Sequence, residues 1–160
     1  LGNRLLPDSD KPKQHHGACL IKKYIDDNFT QPKLTLELLS NELSYSPKYI
    51  SSTFKKRFNT GIAEYLNTIR IQNACTLMQQ GFTSISDVSN QCGYTDSQYF
   101  SKLFKQKTGV SPKAYIKTLR NTNEALLNAE KNMTNKSDKQ KISYLQGQID
   151  AIDIIMNFID

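Results

Sequence analysis

The chain has 160 residues, 38% of them hydrophobic, with eight Tyr, seven Phe and no Trp, enough for one modest core or two very small domains. Lys and Arg exceed Asp and Glu by 21 to 15, for a net charge of +6 and a pI of about 9.2, which points to a polyanionic partner. No apolar run approaches the ~20 residues that cross a bilayer and no signal peptide opens the chain; Cys19, Cys75 and Cys92 match neither a disulfide framework nor a metal clip, so a reduced, cytoplasmic protein with small buried thiols is expected.

The charge is unevenly placed. Residues 1–120 carry 17 basic and 9 acidic side chains, whereas residues 121–160 carry 4 and 6. In chain order, residues 1–17 hold Gly2, Pro7, Pro12 and Gly17 without an apolar period and read as a linker or disordered arm. From Ala18 a helical stripe follows, made by Leu20, Ile21, Tyr24, Ile25 and Phe29, and it stops near Thr30–Pro32.

The next segment is repeated. Phe54–Arg70 lines up with Phe104–Arg120, and Thr35–Tyr45 lines up with Ser84–Tyr94 after a one-residue gap. Each copy reads as a capped short helix, a tight turn, a second helix, a loop and a closing helix. Thr35, Ser84 and Ser46 are the expected N-caps, with Pro47 at a first helical position. In the second copy Gly93 supplies the turn and Thr95 or Asp96 the cap. Asn59 and Gly109 are the expected left-handed stops of the two second helices. Residues 62–78 read as one connecting helix with Ile62, Leu66, Ile69, Ala74, Leu77 and Met78 as apolar positions. At 1.5 Å per residue it spans roughly 25 Å, a length suited to holding two recognition helices one DNA turn, about 34 Å, apart. No stretch alternates as a strand does, so the expected fold is all-α: two helix-turn-helix subdomains joined by a long connecting helix, plus a C-terminal helical hairpin.

The second helix of each copy, roughly Pro47–Phe58 and Ser97–Thr108, carries the chemistry. At ~100° per residue, Ile50 and Phe54 share one side, as do Phe100 and Phe104, and these face the core. The opposite sides hold Lys48, Ser52 and Lys55 in one copy and Gln98, Lys102 and Lys105 in the other, flanked by Ser51, Lys56, Ser97 and Ser101. Such a helix suits the major groove, where Gln pairs with adenine and Lys with guanine edges or phosphates. Any surface helix carries Lys and Ser on its solvated side, and for one copy that bland reading is the better one. Two copies with the same face, caps and turn reverse it.

These residues also resemble a known family. Ile85-Ser86-Asp87-Val88-Ser89, Cys92-Gly93-Tyr94, Ser97 to Lys105, Gly109-Val110-Ser111-Pro112 and Tyr115 resemble the signature of the AraC/XylS transcription regulators. Leu36 to Leu43, Tyr45-Ser46-Pro47, Ile50, Phe54-Lys55-Lys56 and Arg70 fit its first unit. The resemblance covers about residues 18–120 and implies a seven-helix DNA-binding domain that contacts an asymmetric promoter site. It places base reading on Lys48, Ser51 and Ser52 in the first helix and on Ser97, Gln98, Tyr99 and Lys102 in the second. It also implies RNA polymerase as a neighbouring partner and a structural role for Arg70. Departures are Ser40 and Ser89 where Ala is common, Asn59 in place of Gly, and Ile116 where an Arg commonly follows the Tyr. The serines fit if each hydroxyl bonds back to its own helix. With Ser51 and Ser52 as its readers, the first unit is expected to discriminate bases less than the second, leaving more to DNA shape.

The resulting domains are an arm over 1–17, a DNA-binding domain over 18–120 (first unit about 18–60, connecting helix about 62–78, second unit about 82–120) and an extension over 121–160. In the extension Thr122 to Met133 reads as a short helix and Thr134-Asn135-Lys136 as a turn. Ser137 to Gln140 is a capping box opening a helix whose Ile142, Leu145, Ile149, Ile152, Met156 and Ile159 form an a/d seam. Three occupants compete for the seam: the chain's own DNA-binding domain, a second copy, or another protein. His15 and His16 have no Cys or carboxylate clustered beside them, so no metal and no cofactor are expected. No nucleophile triad, phosphate loop or paired acids stand out, and no enzyme is expected. The expected function is a nucleoid-associated, sequence-specific binder of double-stranded promoter DNA. The alternative is a helical protein-interaction module working through the seam, and a basic membrane-surface binder is disfavoured because interfacial helices need no matched caps and turns.

Overall fold

The computed structural model describes residues 11–131 and 140–148. The helices are α1 (Lys11–Asn28), α2 (Leu36–Leu43), α3 (Pro47–Phe58), α4 (Ile62–Gln79), α5 (Ile85–Gln91), α6 (Ser97–Thr108) and α7 (Pro112–Lys131). Residues 140–148 are also helical, and no strand occurs among the described residues. The all-α expectation holds, and none of the described helices is long and apolar enough to cross a membrane. The chain divides into two compact units, Leu1–Arg70 and Ile71–Asp160, so α4 gives its first half to one and its second half to the other.

In the first unit α1 and α2 pack on α3. Ile21, Ile25, Ile50 and Phe54 are wholly buried and Leu39 nearly so, with Leu34 and Leu66 closing the cluster. The Phe54 ring lies 4.7 Å from Phe58 and 5.3 Å from Tyr65. The second unit repeats the arrangement around Val88, Phe100 and Phe104, with Ile71, Ala74 and Cys75 of α4 beneath them. There Phe104 lies 5.7 Å from Phe100 and 5.6 Å from Tyr115. Phe54 and Tyr65 thus recur as Phe104 and Tyr115, the pair that the sequence repeat aligns. Full burial of each phenylalanine contributes up to about 3 kcal/mol by area alone.

The caps place the helices. Thr35 Oγ1 accepts from the Leu38 amide at 3.2 Å, Ser46 Oγ from Tyr49 at 3.2 Å and Ser84 Oγ from Asp87 at 3.3 Å. Asp96, not Thr95, caps α6, taking the Gln98 and Tyr99 amides at 2.8 and 3.1 Å. α3 and α6 end alike, on Asn59 (φ 56°) and Gly109 (φ 81°), whose amides each reach the carbonyl four residues back at 2.9 Å. Gly93 takes φ 82° in the longer turn between α5 and α6. The shorter turn between α2 and α3 uses Ser44 at φ 55°, a left-handed position that composition does not announce.

Arg70 is structural in its contacts. Only 7% exposed, it donates from Nε to the Phe29 carbonyl and from Nη2 to the Gln31 carbonyl, both at 2.7 Å. These lie just past the end of α1, so the guanidinium closes that helix where orphan carbonyls need donors. Ser89 Oγ bonds back within its own helix, to the Ser86 carbonyl at 2.8 Å, as expected. Ser40 differs, because its hydroxyl donates across the turn to the Tyr45 carbonyl at 2.6 Å and braces α2 against the start of α3.

Four expectations need correction. Of the arm expected over 1–17, residues 11–17 are helical, since α1 begins at Lys11. Pro12 lies in its first turn, where a missing N–H leaves no bond unmade, and Gly17 and Ala18 are buried. Residues 1–10 lie outside the described residues. Leu20, expected in the apolar stripe, is 38% exposed because it falls outside the arc of Ala18, Ile21 and Ile25. Cys75 and Cys92 are buried thiols as expected, but Cys19 is exposed on α1. Arg120 is no break: α7 runs through it to Lys131, with Thr122 buried and its hydroxyl donating to the Thr118 carbonyl at 2.9 Å. Of the expected hairpin, the turn at 134–136 and the seam residues Ile149, Ile152, Met156 and Ile159 lie outside the described residues. Ile142 and Leu145 are half-buried.

Candidate nucleic-acid interface

Within the first unit, burial of Ile50, Thr53 and Phe54 fixes which side of α3 meets the core. Lys48, Ser51, Ser52, Lys55 and Lys56 are left exposed. All five residues expected on this helix therefore share its solvated surface. In the second unit burial of Phe100 and Phe104 does the same for α6. Gln98, Tyr99, Lys102 and Lys105 are exposed, whereas Ser97 and Ser101 are half-buried at the flank.

The hydroxyls divide the serines further. Ser52 Oγ donates to the Tyr49 carbonyl at 3.2 Å and Ser101 Oγ donates to the Ser97 carbonyl at 2.8 Å. A hydroxyl has one hydrogen, so in this arrangement both offer a ligand only acceptor lone pairs. Ser101, expected at the flank of this face, is half-buried as well and is the least available of the residues expected to touch DNA. Gln98 and Lys102 stand four apart on the exposed face of α6, and Gln presents a donor and an acceptor together, the pattern that an adenine edge matches.

The two copies also differ in their tyrosines. Tyr49 is half-buried, its ring 4.8 Å from Tyr45 and its hydroxyl so near Gly17 that a Cβ there would come within 2.6 Å. Tyr99 is 53% exposed, with its ring 6.2 Å from Tyr94. One tyrosine locks α3 to α1 and the other is offered to solvent, although the repeat aligns them. Residue-type reasoning passed over Tyr49, and the repeat was the signal that marks it.

The charge is concentrated at the C-terminal ends. Lys55, Lys56 and Arg57 occupy the last turn of α3, and Lys105 and Lys107 that of α6. Cations there complement the helix dipole by about 0.3–1 kcal/mol, so these residues have a structural use besides any phosphate contact. Arg57, also exposed, lies over the Phe58 ring at 5.6 Å. Every buried side-chain polar atom among the described residues has a hydrogen-bond partner. No group of three or more His, Cys, Asp or Glu among the described residues is placed to hold a metal ion.

Comparison with known proteins places the chain among helix-turn-helix domains. A family model described as a helix-turn-helix domain matches residues 39–118, half of the chain. The chain is 37% identical over 109 residues to the bifunctional transcriptional activator/DNA repair enzyme AdaA of Bacillus subtilis, covering 68% of this chain and 51% of that protein. It is 37% identical over 95 residues to the HTH-type transcriptional regulator YijO of Escherichia coli, covering 59% and 33%. Among solved structures it is similar to the C-terminal domain of AraT, a response regulator from Geobacillus stearothermophilus, with a TM-score of 0.62 and 31% identity over 72% of this chain and 88% of that one. The chain spans about a third to a half of the length of these curated relatives.

Proposed function

This chain belongs to the AraC/XylS family of helix-turn-helix DNA-binding domains, and we propose that it regulates transcription by reading one promoter site with α3 and α6. Each helix enters a major-groove segment, with Gln98, Tyr99 and Lys102 reading bases from α6 and Lys48, Ser51 and Ser52 from α3. Lys55, Lys56 and Lys105 supply phosphate contacts, Ser97 lies at the groove edge, and Ser101 chiefly braces α6.

The observation that carries this reading is the duplicated exposed face. Two helices with the same length, the same left-handed stop and matching aromatic anchors both turn their Lys-, Ser- and Gln-rich side to solvent. A scaffold needs no such duplication of polar chemistry at register. Selection of bound duplexes from a random pool, with binding measured at two salt concentrations, tests it. The expected product is a site with two short boxes about one helical turn apart and affinity that falls steeply with salt. An unenriched pool would refute sequence-specific reading.

Activation through RNA polymerase is part of the proposal, supported by family membership, and transcription in vitro from a promoter bearing the selected site tests it. For the C-terminal seam, the occupant adopted in this reading is the chain's own DNA-binding domain. A sedimentation coefficient independent of concentration is the corresponding expectation; a rise with concentration would favour the dimer.

A further inference from the structure

The first unit contains a cavity that the DNA reading does not use. It has a volume of about 380 Å³ and lies where the entry to α2, the middle of α3 and the start of α4 meet. Small-ligand sites span about 300–1,000 Å³, so the volume suits a compact molecule. Leu34, Leu36, Ile62 and Leu66 form apolar walls, while Ser51 and Lys55, one turn apart on α3, stand at its polar side.

The sequence explains why the space is empty. Gly61 and Ala63 line the chain's entry into α4, and a Cβ built on Gly61 meets nothing within 4 Å. The second copy is built differently at the aligned positions. It has Thr83 for Leu34, Ser111 for Gly61 and Lys113 for Ala63. Ile85 and Ile116 keep the apolar character of Leu36 and Leu66, so it is Leu34 and the small residues Gly61 and Ala63 that are particular to the first unit.

Lys55 determines the ligand class. Among the described residues it has no carboxylate within ion-pair distance, and it is exposed. An ammonium at the rim of an apolar hollow attracts an anionic head group whose apolar body enters the hollow, and the low-dielectric wall strengthens that attraction. We propose that this cavity binds a small amphipathic organic anion, a monocarboxylate with a short aryl or alkyl tail, and that occupancy competes with DNA because Ser51 and Lys55 belong to both surfaces. The competition clause rests on the DNA-binding reading above; the binding clause does not.

The test uses the whole chain, isotope-labelled for amide NMR, titrated with 4-phenylbutyrate, 4-phenylbutanol and 4-phenylbutylamine. The acid should give saturable shifts at residues 34–36 and 61–66 and bind about three- to fivefold tighter than the alcohol, the size expected of one solvent-accessible ion pair. The amine should not bind. Lys55→Gln should bring the acid down to the alcohol, and Ala63→Phe should fill the space and abolish shifts from both while duplex affinity stays unchanged. Gly61→Leu is a second plug should Ala63→Phe disturb folding. In fluorescence anisotropy the acid should displace wild-type chain from a selected duplex but not displace the Ala63→Phe variant. Absence of saturable shifts while duplex binding is intact overturns the site and leaves the DNA reading standing. Equal affinity for acid and alcohol overturns the anion class, and saturable binding with unchanged duplex affinity overturns the competition. A chain that binds the acid but no duplex would instead sink the DNA reading.

Discussion

Removal of Arg70 separates structural support from DNA contact. Its guanidinium is 7% exposed and donates two bonds of 2.7 Å, to the carbonyls of Phe29 and Gln31 at the end of α1. Hydrogen bonds from an ionised donor contribute about 1.5–3 kcal/mol each. Gln31 is exposed, so its carbonyl regains water when the donor leaves and that bond counts at the low end. Phe29 is half-buried, and its carbonyl regains less. Arg70→Ala should therefore destabilise the first unit by about 2–4 kcal/mol, a large part of the roughly 5–15 kcal/mol typical of a small domain. Arg70→Lys keeps the charge but cannot span both carbonyls, and should lose about half as much. The assay is a urea titration followed by NMR, with Ile25 reporting the first unit and Val88 the second. The Ile25 transition should move to lower urea and the Val88 transition much less. If Arg70→Ala leaves the Ile25 midpoint in place yet lowers duplex affinity, the assignment of Arg70 to α1 closure is wrong and it contacts DNA.

The other substitutions test the interface and the core. Gln98→Ala and Lys102→Ala should each cost about 1–3 kcal/mol on a selected site and relax base preference at one position; unchanged specificity in the double variant would refute the readout. Lys55→Ala should weaken all duplexes alike and reduce the salt slope by about one, as read from affinities at several salt concentrations. Phe104→Ala removes a wholly buried ring flanked by Phe100 and Tyr115 and should cost the second unit about 3–5 kcal/mol in denaturant titrations. An exposed-thiol reagent should label one cysteine in the native chain and three after denaturation. Cys19 is exposed, whereas Cys75 is buried and its thiol is pushed up to about 12 by that burial, leaving almost no thiolate at neutral pH.

Much of the fold was legible because the deciding interactions are local. Thr35, Ser46 and Ser84 cap the helices they immediately precede, and Asn59 and Gly109 stop α3 and α6 by a backbone conformation that few residue types adopt. The exposed faces of α3 and α6 followed from Phe54 and Phe104, since a fully buried ring fixes the rotation of its helix. What escaped depended on partners distant in sequence. The helical state of 11–17 carries no apolar period, and the contact that orders its end, Gly17 against Tyr49, crosses more than thirty positions. Ser40 was expected to bond back to its helix and instead bonds across the turn, a choice set by the left-handed Ser44 between them. The continuity of α7 past Arg120 was hidden by Asn121 and Thr122, poor helix formers whose cost is offset here by burial of Thr122 and its bond to Thr118.

The inequality of the two copies bears on how such a domain divides its work. Where α6 carries Gln98 and Lys102, α3 carries Lys48 and Ser52, and the Ser52 hydrogen is already engaged by Tyr49. Where α6 exposes Tyr99, α3 turns Tyr49 inward against Gly17 and Tyr45. In the proposed reading, α3 has thus exchanged reading capacity for attachment to its own unit, and what it retains on its surface is mostly charge. Charge without directional donors and acceptors contributes affinity and salt dependence but little discrimination among bases. In a selected site the box read by α6 should therefore be sharply defined, and the box under α3 should tolerate substitution while still responding to flexible or narrow-groove steps. A box under α3 as sharply defined as its neighbour would mean that Ser52 rearranges on binding and gives up its bond to the Tyr49 carbonyl for a base edge.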